Sequence, residues 1–317
     1  MHRYIIKRLL LMIPVIIGVS FLVFFIMDLA PGDAVDILAP EGATAEDLEA
    51  IRHDLCLDQP VIVRYVKYMG GMLHGDMGVS YVSKTDVFDT YMEKLPATIK
   101  LSFASILVSI LLSVPLGIYS ATRQGTVQDN ISMIVAMIGL SMPNFWLGLL
   151  LIIVFSLNLG WFPSGGDQTL SSIVLPAITI GTGLMATLTR TTRSSMLDVL
   201  KQEYLRTARA KGIPEKIVIT SHALRNALIP IITIIGTQLA GVLGGSVLTE
   251  TVFAWPGVGR LIVDSLNMRD TPLVTGSIIM TTILLSIILL LVDLLYAVVD
   301  PRIKAQYVAK RGKKKHG

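Results

Sequence analysis

Residues 203–230 read EYLRTARAKGIPEKIVITSHALRNALIP, a basic, glycine-punctuated stretch between two membrane-length apolar runs. Charge at this density is too costly for hydrocarbon, so the stretch must form a loop outside the bilayer. Its pattern is that of packed helix. Met196, Leu200, Tyr204 and Ala208 recur every four residues and make one apolar stripe, with Asp198, Gln202, Arg206 and Arg209 on other faces. The hydroxyl of Ser194 or Ser195 is expected to cap this helix. Lys211 followed by Gly212 matches the usual stop, a basic last turn and then glycine in the left-handed conformation. Pro214 and Glu215 suit the first turn of a second helix. Ile213 is a poor capping residue, so packing is expected to hold the turn. Two helices joined at a tight elbow suit a groove on another protein. A loop that merely carries topology signals is the alternative.

Working outward, 52% of the 317 residues are apolar and only 16% are charged. Six apolar runs approach or exceed the ~20 residues that cross a bilayer. They are 9–29, 98–121, 131–157, 173–188, 227–247 and 275–299. The chain is therefore expected to be an all-α integral membrane protein, with Pro and Gly inside the spans tolerated because neighbouring helices satisfy the freed backbone groups. The run 173–188 is short and contains Pro176, Gly181 and Gly183, which argues against a simple straight helix. The first run is too long for a signal peptide and puts Asp28 where a small residue is wanted, so it reads as a retained span.

Orientation follows from the positive-inside bias. With both termini inside, nineteen Lys and Arg lie on the cytoplasmic side and eight outside, most of the latter in the long 30–97 segment. Residues 1–29 then hold the N-terminus and first span. Residues 30–97 form an acidic extracytoplasmic domain, either a solvated surface or a docking face. Residues 98–303 form a five-helix core whose loop spans 190–226. The tail at 304–317 is basic, suited to anionic lipid headgroups. The net charge of +4 sits beside apolar spans, which favours topology signals over nucleic acid. The lone Cys56 permits no internal disulfide.

Other positions mark a passage. Ser141, Met142, Pro143 and Asn144 interrupt the third run, and a Pro there predicts a kink. The fifth carries Thr237, Gln238 and Ser246, and Gly241 and Gly245 at the spacing that admits a close neighbouring helix. Ser141, Asn144, Thr237, Gln238 and Ser246 are thus candidates to line a passage, with helix packing the alternative. Trp255, Pro256 and Gly257 form a turn expected to be an outer gate or an interfacial Trp anchor. No catalytic or metal-ligating constellation appears, and no phosphate-loop motif, so uphill work needs energy from another polypeptide. Asp28 and Asp293 are read as the only acidic residues in or bordering the spans, and an intramembrane aspartyl protease built on them is a distant alternative.

The stretches EYLRTARAKG (203–212), HALRNALIP (222–230), SMPNFWLGLLL (141–151), ETVFAWPGVGRL (250–261) and VDLLYAVVDPRI (292–303) resemble those of ABC-importer permeases. So do PGD (31–33), LDQP (57–60) and GDMGVS (75–80), and the dipeptide/oligopeptide/nickel branch, B-type subunit, is the nearest likeness. Of that fold class's general Glu-Ala-Ala…Gly loop pattern only Ala208 and Gly212 remain; Arg206, Thr207, His222, Leu224 and Arg225 depart from it in ways that suit the peptide/nickel branch. The resemblance implies a multi-pass inner-membrane permease subunit moving small peptides by alternating access, with nickel, a metal chelate or glutathione as other cargo. It implies as partners a second homologous permease, two cytoplasmic ATPase subunits that hold ATP and Mg, and an extracytoplasmic substrate-binding protein, with no cofactor in this chain. It makes Tyr204, Arg206, Thr207, Ala208, Arg209, Ala210, Lys211, Gly212 and Glu215 the coupling element, with Arg206, Arg209 and Lys211 available for charge-assisted bonds to the ATPase.

Overall fold

The computed structural model describes residues 2–29, 34–40 and 42–299. The basic tail, the PGD stretch and the DPRI end of the last motif lie outside the described residues. The described chain is helical: α1 (His2–Leu29), α2 (Ala34–Leu38), α3 (Ala45–Asp54), α4 (Val61–Leu73), α5 (Val87–Thr122), α6 (Val127–Ser141), α7 (Asn144–Leu151), α8 (Val174–Leu200), α9 (Glu203–Ala210), α10 (Glu215–Ile217), α11 (Leu224–Gly245), α12 (Val247–Val252), α13 (Val258–Asn267) and α14 (Thr271–Val299). Among the described residues, five stretches are long and apolar enough to cross a membrane, and α6 with α7 and its π-helical continuation makes a sixth, bent by 96°. The bend falls at Met142 and Pro143, where the chain is extended and Pro143 supplies no N–H to the ladder.

Three boundaries differ from the sequence reading. The second span begins at Val87, not residue 98, because residues 87–97 continue the helix instead of closing the outer segment. The fourth is not short: α8 runs unbroken to Leu200, and 61% of its most apolar stretch is buried. Pro176 sits in its first turn, where its missing N–H costs nothing. Ser194 and Ser195 therefore lie inside α8 and cap nothing. The next helix starts only at Glu203, after Gln202, which makes no side-chain cap bond.

The described residues divide into two compact units, those up to 99 with 244–286, and 100–243 with those from 287 onward. In the second, an apolar cluster joins Ala121, Leu188, Met196, Leu205, Ala208, Val218, Ala223, Ala227 and Ile231. Beside it, Asp129 is buried and gathers four donors. Arg193 Nε and Nη2 donate at 2.8 and 2.6 Å, Gly125 N–H donates at 3.0 Å, and Ser120 Oγ also donates. The two parallel bonds from Arg193 clip α8 to the first turn of α6. Asp129→Asn keeps the shape and removes the charge. It is expected to lower stability by about 1–3 kcal/mol, the cost of weakening bonds to a charged group, read as a lower melting temperature of the purified protein. An unchanged melting temperature would mean the clip carries little.

In the first unit, Asp270 accepts from the backbone N–H groups of Tyr81 (3.1 Å) and Val82 (3.4 Å) and from Ser80 Oγ. These bonds tie the end of the GDMGVS stretch to the start of α14. Within the chain, the close helix contact uses a different glycine pair from the expected one. Space beside Gly241 and Gly245 is open, whereas a Cβ on Gly236 would lie 2.8 Å from Val292 and one on Gly244 2.6 Å from Leu285. The close approach of α14 thus uses glycines eight apart, one on each second turn.

Candidate functional site: the elbow and the buried glutamate

The elbow is built by its own backbone. Gly212 has φ +75°, the left-handed conformation that spares glycine a Cβ clash. Its N–H donates to Arg209 O (2.9 Å) and that of Ile213 to Ala208 O (3.3 Å), the paired bonds of a Schellman ending. Ile213 then packs against the apolar cluster below, so packing does hold the turn. Pro214 precedes α10 as an uncapped N-cap, and Glu215 stands in the first turn. Arg209 grips Glu215 through two bonds, Nε at 3.0 Å and Nη2 at 2.9 Å, closing the elbow from outside. That hydrogen bonding holds the Arg209 guanidinium above its ordinary pKa.

Leu205, fully buried, and Ala208 seat α9 on the apolar cluster. Tyr204, expected on the apolar stripe, is instead exposed: the break at Lys201–Gln202 turns α9 so that Leu205 takes the inward position. Tyr204 is held by Asn226 Nδ2 at 2.8 Å. Of the nine residues expected to form the coupling element, eight are exposed on this elbow and Ala208 faces inward. Arg206 pairs with Glu203 at 3.0 Å and Arg209 with Glu215, so two of its three cations have partners within the loop. The outward surface is polar and is braced by ion pairs of its own.

The passage candidates separate. Gln238 Nε2 donates to Leu184 O at 3.0 Å, and its Oε1 is buried without a hydrogen-bond partner among the described residues. Asn144 Oδ1 lies where a Cβ on Gly183 would be 2.7 Å away. Gln238 and Asn144 therefore meet adjacent residues of α8. The hydroxyls of Ser141 and Thr237 bond carbonyls of their own helices. Ser246 is buried, and its hydroxyl is spent on Glu250 Oε1 at 2.8 Å.

Glu250 escaped the sequence reading, as did Asp129: Asp28 and Asp293 are not the only acidic residues at the spans. Fully buried, Glu250 accepts from Thr98 Oγ1 (2.9 Å), Ser246 Oγ (2.8 Å) and the Arg260 N–H (3.1 Å), while Thr98 Oγ1 accepts from the Val258 N–H (2.8 Å). The Trp255–Gly257 turn wraps this hub. Trp255 is fully buried and donates Nε1 to Ala97 O at 2.9 Å, so it is no interfacial anchor. The available signal was an acid inside an apolar stretch flanked by glycine, serine and threonine, residues small enough to let backbone amides reach it. Asp28 is engaged by Arg64, an ion pair and not half of a carboxyl dyad.

Residues 113–305 match the model of the binding-protein-dependent transport system inner membrane component, and residues 1–102 match its N-terminal model. The chain belongs to this family. It is a multi-pass permease subunit of the bacterial inner membrane. It is 44% identical over 315 residues to the oligopeptide transport system permease protein AppB of Bacillus subtilis strain 168, covering 96% of this chain and 100% of that one. It is 41% identical over 304 residues to the glutathione transport system permease protein GsiC of Escherichia coli K12, covering 96% and 99%. Among solved structures it is similar to the MetNI methionine ABC transporter in inward-facing conformations. One crystal form gives a TM-score of 0.53 at 20% identity, covering 67% of this chain and 97% of that one. Another gives 0.56 at 18%, covering 67% and 96%. These last likenesses speak for the permease fold.

Proposed function

We propose that this permease carries small peptides inward by alternating access, with both termini and the elbow in the cytoplasm. The elbow docks in one of two ATPase subunits, which bind ATP and Mg, and a second homologous permease completes the pathway. A substrate-binding protein delivers cargo to the outer face. When the ATPases close on ATP, the elbow moves with them. Because Leu205, Ala208, Val218 and Ile213 seat it on the cluster that holds α8 and α11, displacement of the elbow displaces those helices. A floppy loop would absorb the motion. Tyr204, Arg206, Thr207, Arg209, Ala210, Lys211, Gly212 and Glu215 form the docking surface, Gln238 and Asn144 are positioned beside the pathway, and Trp255, Pro256 and Gly257 form a gate on the outer side.

The observation that carries the cargo class is the 44% identity with an oligopeptide permease along nearly the whole chain. Glutathione, itself a tripeptide, is the second reading, favoured by the 41% identical relatives. The test is uptake in proteoliposomes holding the permeases, ATPases and binding protein. Labelled di- and oligopeptides are expected to accumulate only with ATP inside. Accumulation of glutathione but not of other peptides selects the second reading, and peptide uptake that persists without the ATPase subunits would overturn the mechanism.

A further inference from the structure

The helix α4 carries an apolar face that the transport cycle does not use. Ile62 (64% exposed), Val66 (63%) and Leu73 (82%) line one side at helical spacing, with Val63 beside them. The opposite side packs on α1. The Phe24 ring lies 5.7 Å from Tyr65 and 5.9 Å from Tyr68, Phe21 lies 5.4 Å from Tyr65, and the Arg64 guanidinium stands 5.9 Å over Phe24. The helices therefore cross at Phe24. That residue is five positions before Leu29, the end of the apolar span Arg8–Leu29. At about 1.5 Å per residue the crossing lies about 7.5 Å inside the span. Helices that rest in the membrane interface sit ~5–10 Å deep.

We propose that α4 is an interfacial helix immersed in the leaflet at the C-terminal end of α1, with Ile62, Val63, Val66 and Leu73 against acyl chains. Three observations select lipid over water or a docked protein. The exposed stripe is continuous in character with the exposed residues of α1, Phe21, Leu22 and Phe25, which a membrane span presents to lipid. The Tyr65 hydroxyl is satisfied by protein: it reaches inward to Ile17 O (3.2 Å) and shares a hydrogen bond with Ser20 Oγ (2.9 Å), as a polar group below the headgroups must. The charges of α4 are both cations, Arg64 and Lys67, which suit phosphate headgroups. Arg64 turns back to Asp28 and to Gln59 O (3.1 Å), and Lys67 toward Cys56 Sγ (3.5 Å), leaving the stripe free of charge.

The test uses the full-length chain in its assembled complex, in vesicles of phosphatidylcholine and phosphatidylglycerol. In a Cys56→Ser background, nitroxides are placed singly at 62, 66 and 73, and at Glu49 on α3 as a solvent control. Power saturation should show accessibility to oxygen exceeding that to a water-soluble nickel chelate severalfold at the three α4 sites, with the reverse at 49. A nickel-chelate preference at the α4 sites would place the stripe in water and overturn the proposal. Low accessibility to both probes would mean a protein covers it and would overturn it equally. All three positions are surface residues, so the labels do not disturb packing, and V66W quenched by lipids brominated on their acyl chains supplies an independent reading.

Discussion

Glu250→Ala is expected to be the most damaging single change in the chain. The carboxyl is fully buried and accepts from two hydroxyls and one backbone amide. Truncation leaves the Ser246 and Thr98 hydroxyls and the Arg260 amide without their acceptor, at about 1–3 kcal/mol for each group that finds no new partner. It also opens a cavity beside Gly257 and Gly259. With partial relaxation and water entry the net loss should be roughly 3–5 kcal/mol, a large share of ordinary folding stability. The measurement is the melting temperature and membrane yield of the purified protein. Glu250→Gln, which retains the shape and one acceptor, should fall between. Gly257→Ala should approach the alanine variant, because its methyl would collide with Glu250 Oε2 and sit 2.5 Å from Thr98 Oγ1. A Glu250→Ala protein that melts like the parent would show that the hub does not organise the turn.

Gly212→Val should leave folding nearly intact and remove coupling. A Cβ at Gly212 meets nothing within 4 Å, so the substitution creates no clash with neighbours. Its cost is in the backbone, since a β-branched residue is badly strained at φ +75°. A non-glycine residue there costs of order 1–3 kcal/mol, which disfavours the Schellman turn by roughly 5- to 150-fold in population. The Arg209–Glu215 grip and the Ile213 seat would be lost with it. Expected is a matching fall in ATP-driven uptake, with basal ATPase activity retained but no longer stimulated by cargo. Gly212→Asn, which tolerates the left-handed region, should retain most uptake. Normal uptake by the valine variant would refute the idea that the shape of this turn transmits work.

The six apolar runs, the elbow and its stop at Gly212 were legible because each rests on local chemistry: length against bilayer thickness, a four-residue stripe, a basic turn before glycine. The kink at Pro143 was legible for the same reason. Local rules failed where neighbours decide. Pro176, Gly181 and Gly183 read as breakers, yet α8 continues through them because the proline falls in the first turn and both glycines sit under close neighbours. Ser194 and Ser195 looked like caps because helix continuation past them depends on burial of Thr192 and Met196, which a sequence does not display. Gly241 and Gly245 had the spacing for a close helix, but within this chain the close contact falls on Gly236 and Gly244.

The amino-acid sequence by itself determined that this is a multi-helix membrane protein with a polar, glycine-turned helical elbow, since hydrophobic length and backbone conformation are properties of short segments. Only the tertiary structure decided that Glu250, Asp129 and Asp270 are buried and what each one holds. A carboxyl is stabilised in an apolar interior only by donors converging on it, and a donor can lie as far from its acceptor along the chain as Ser80 lies from Asp270.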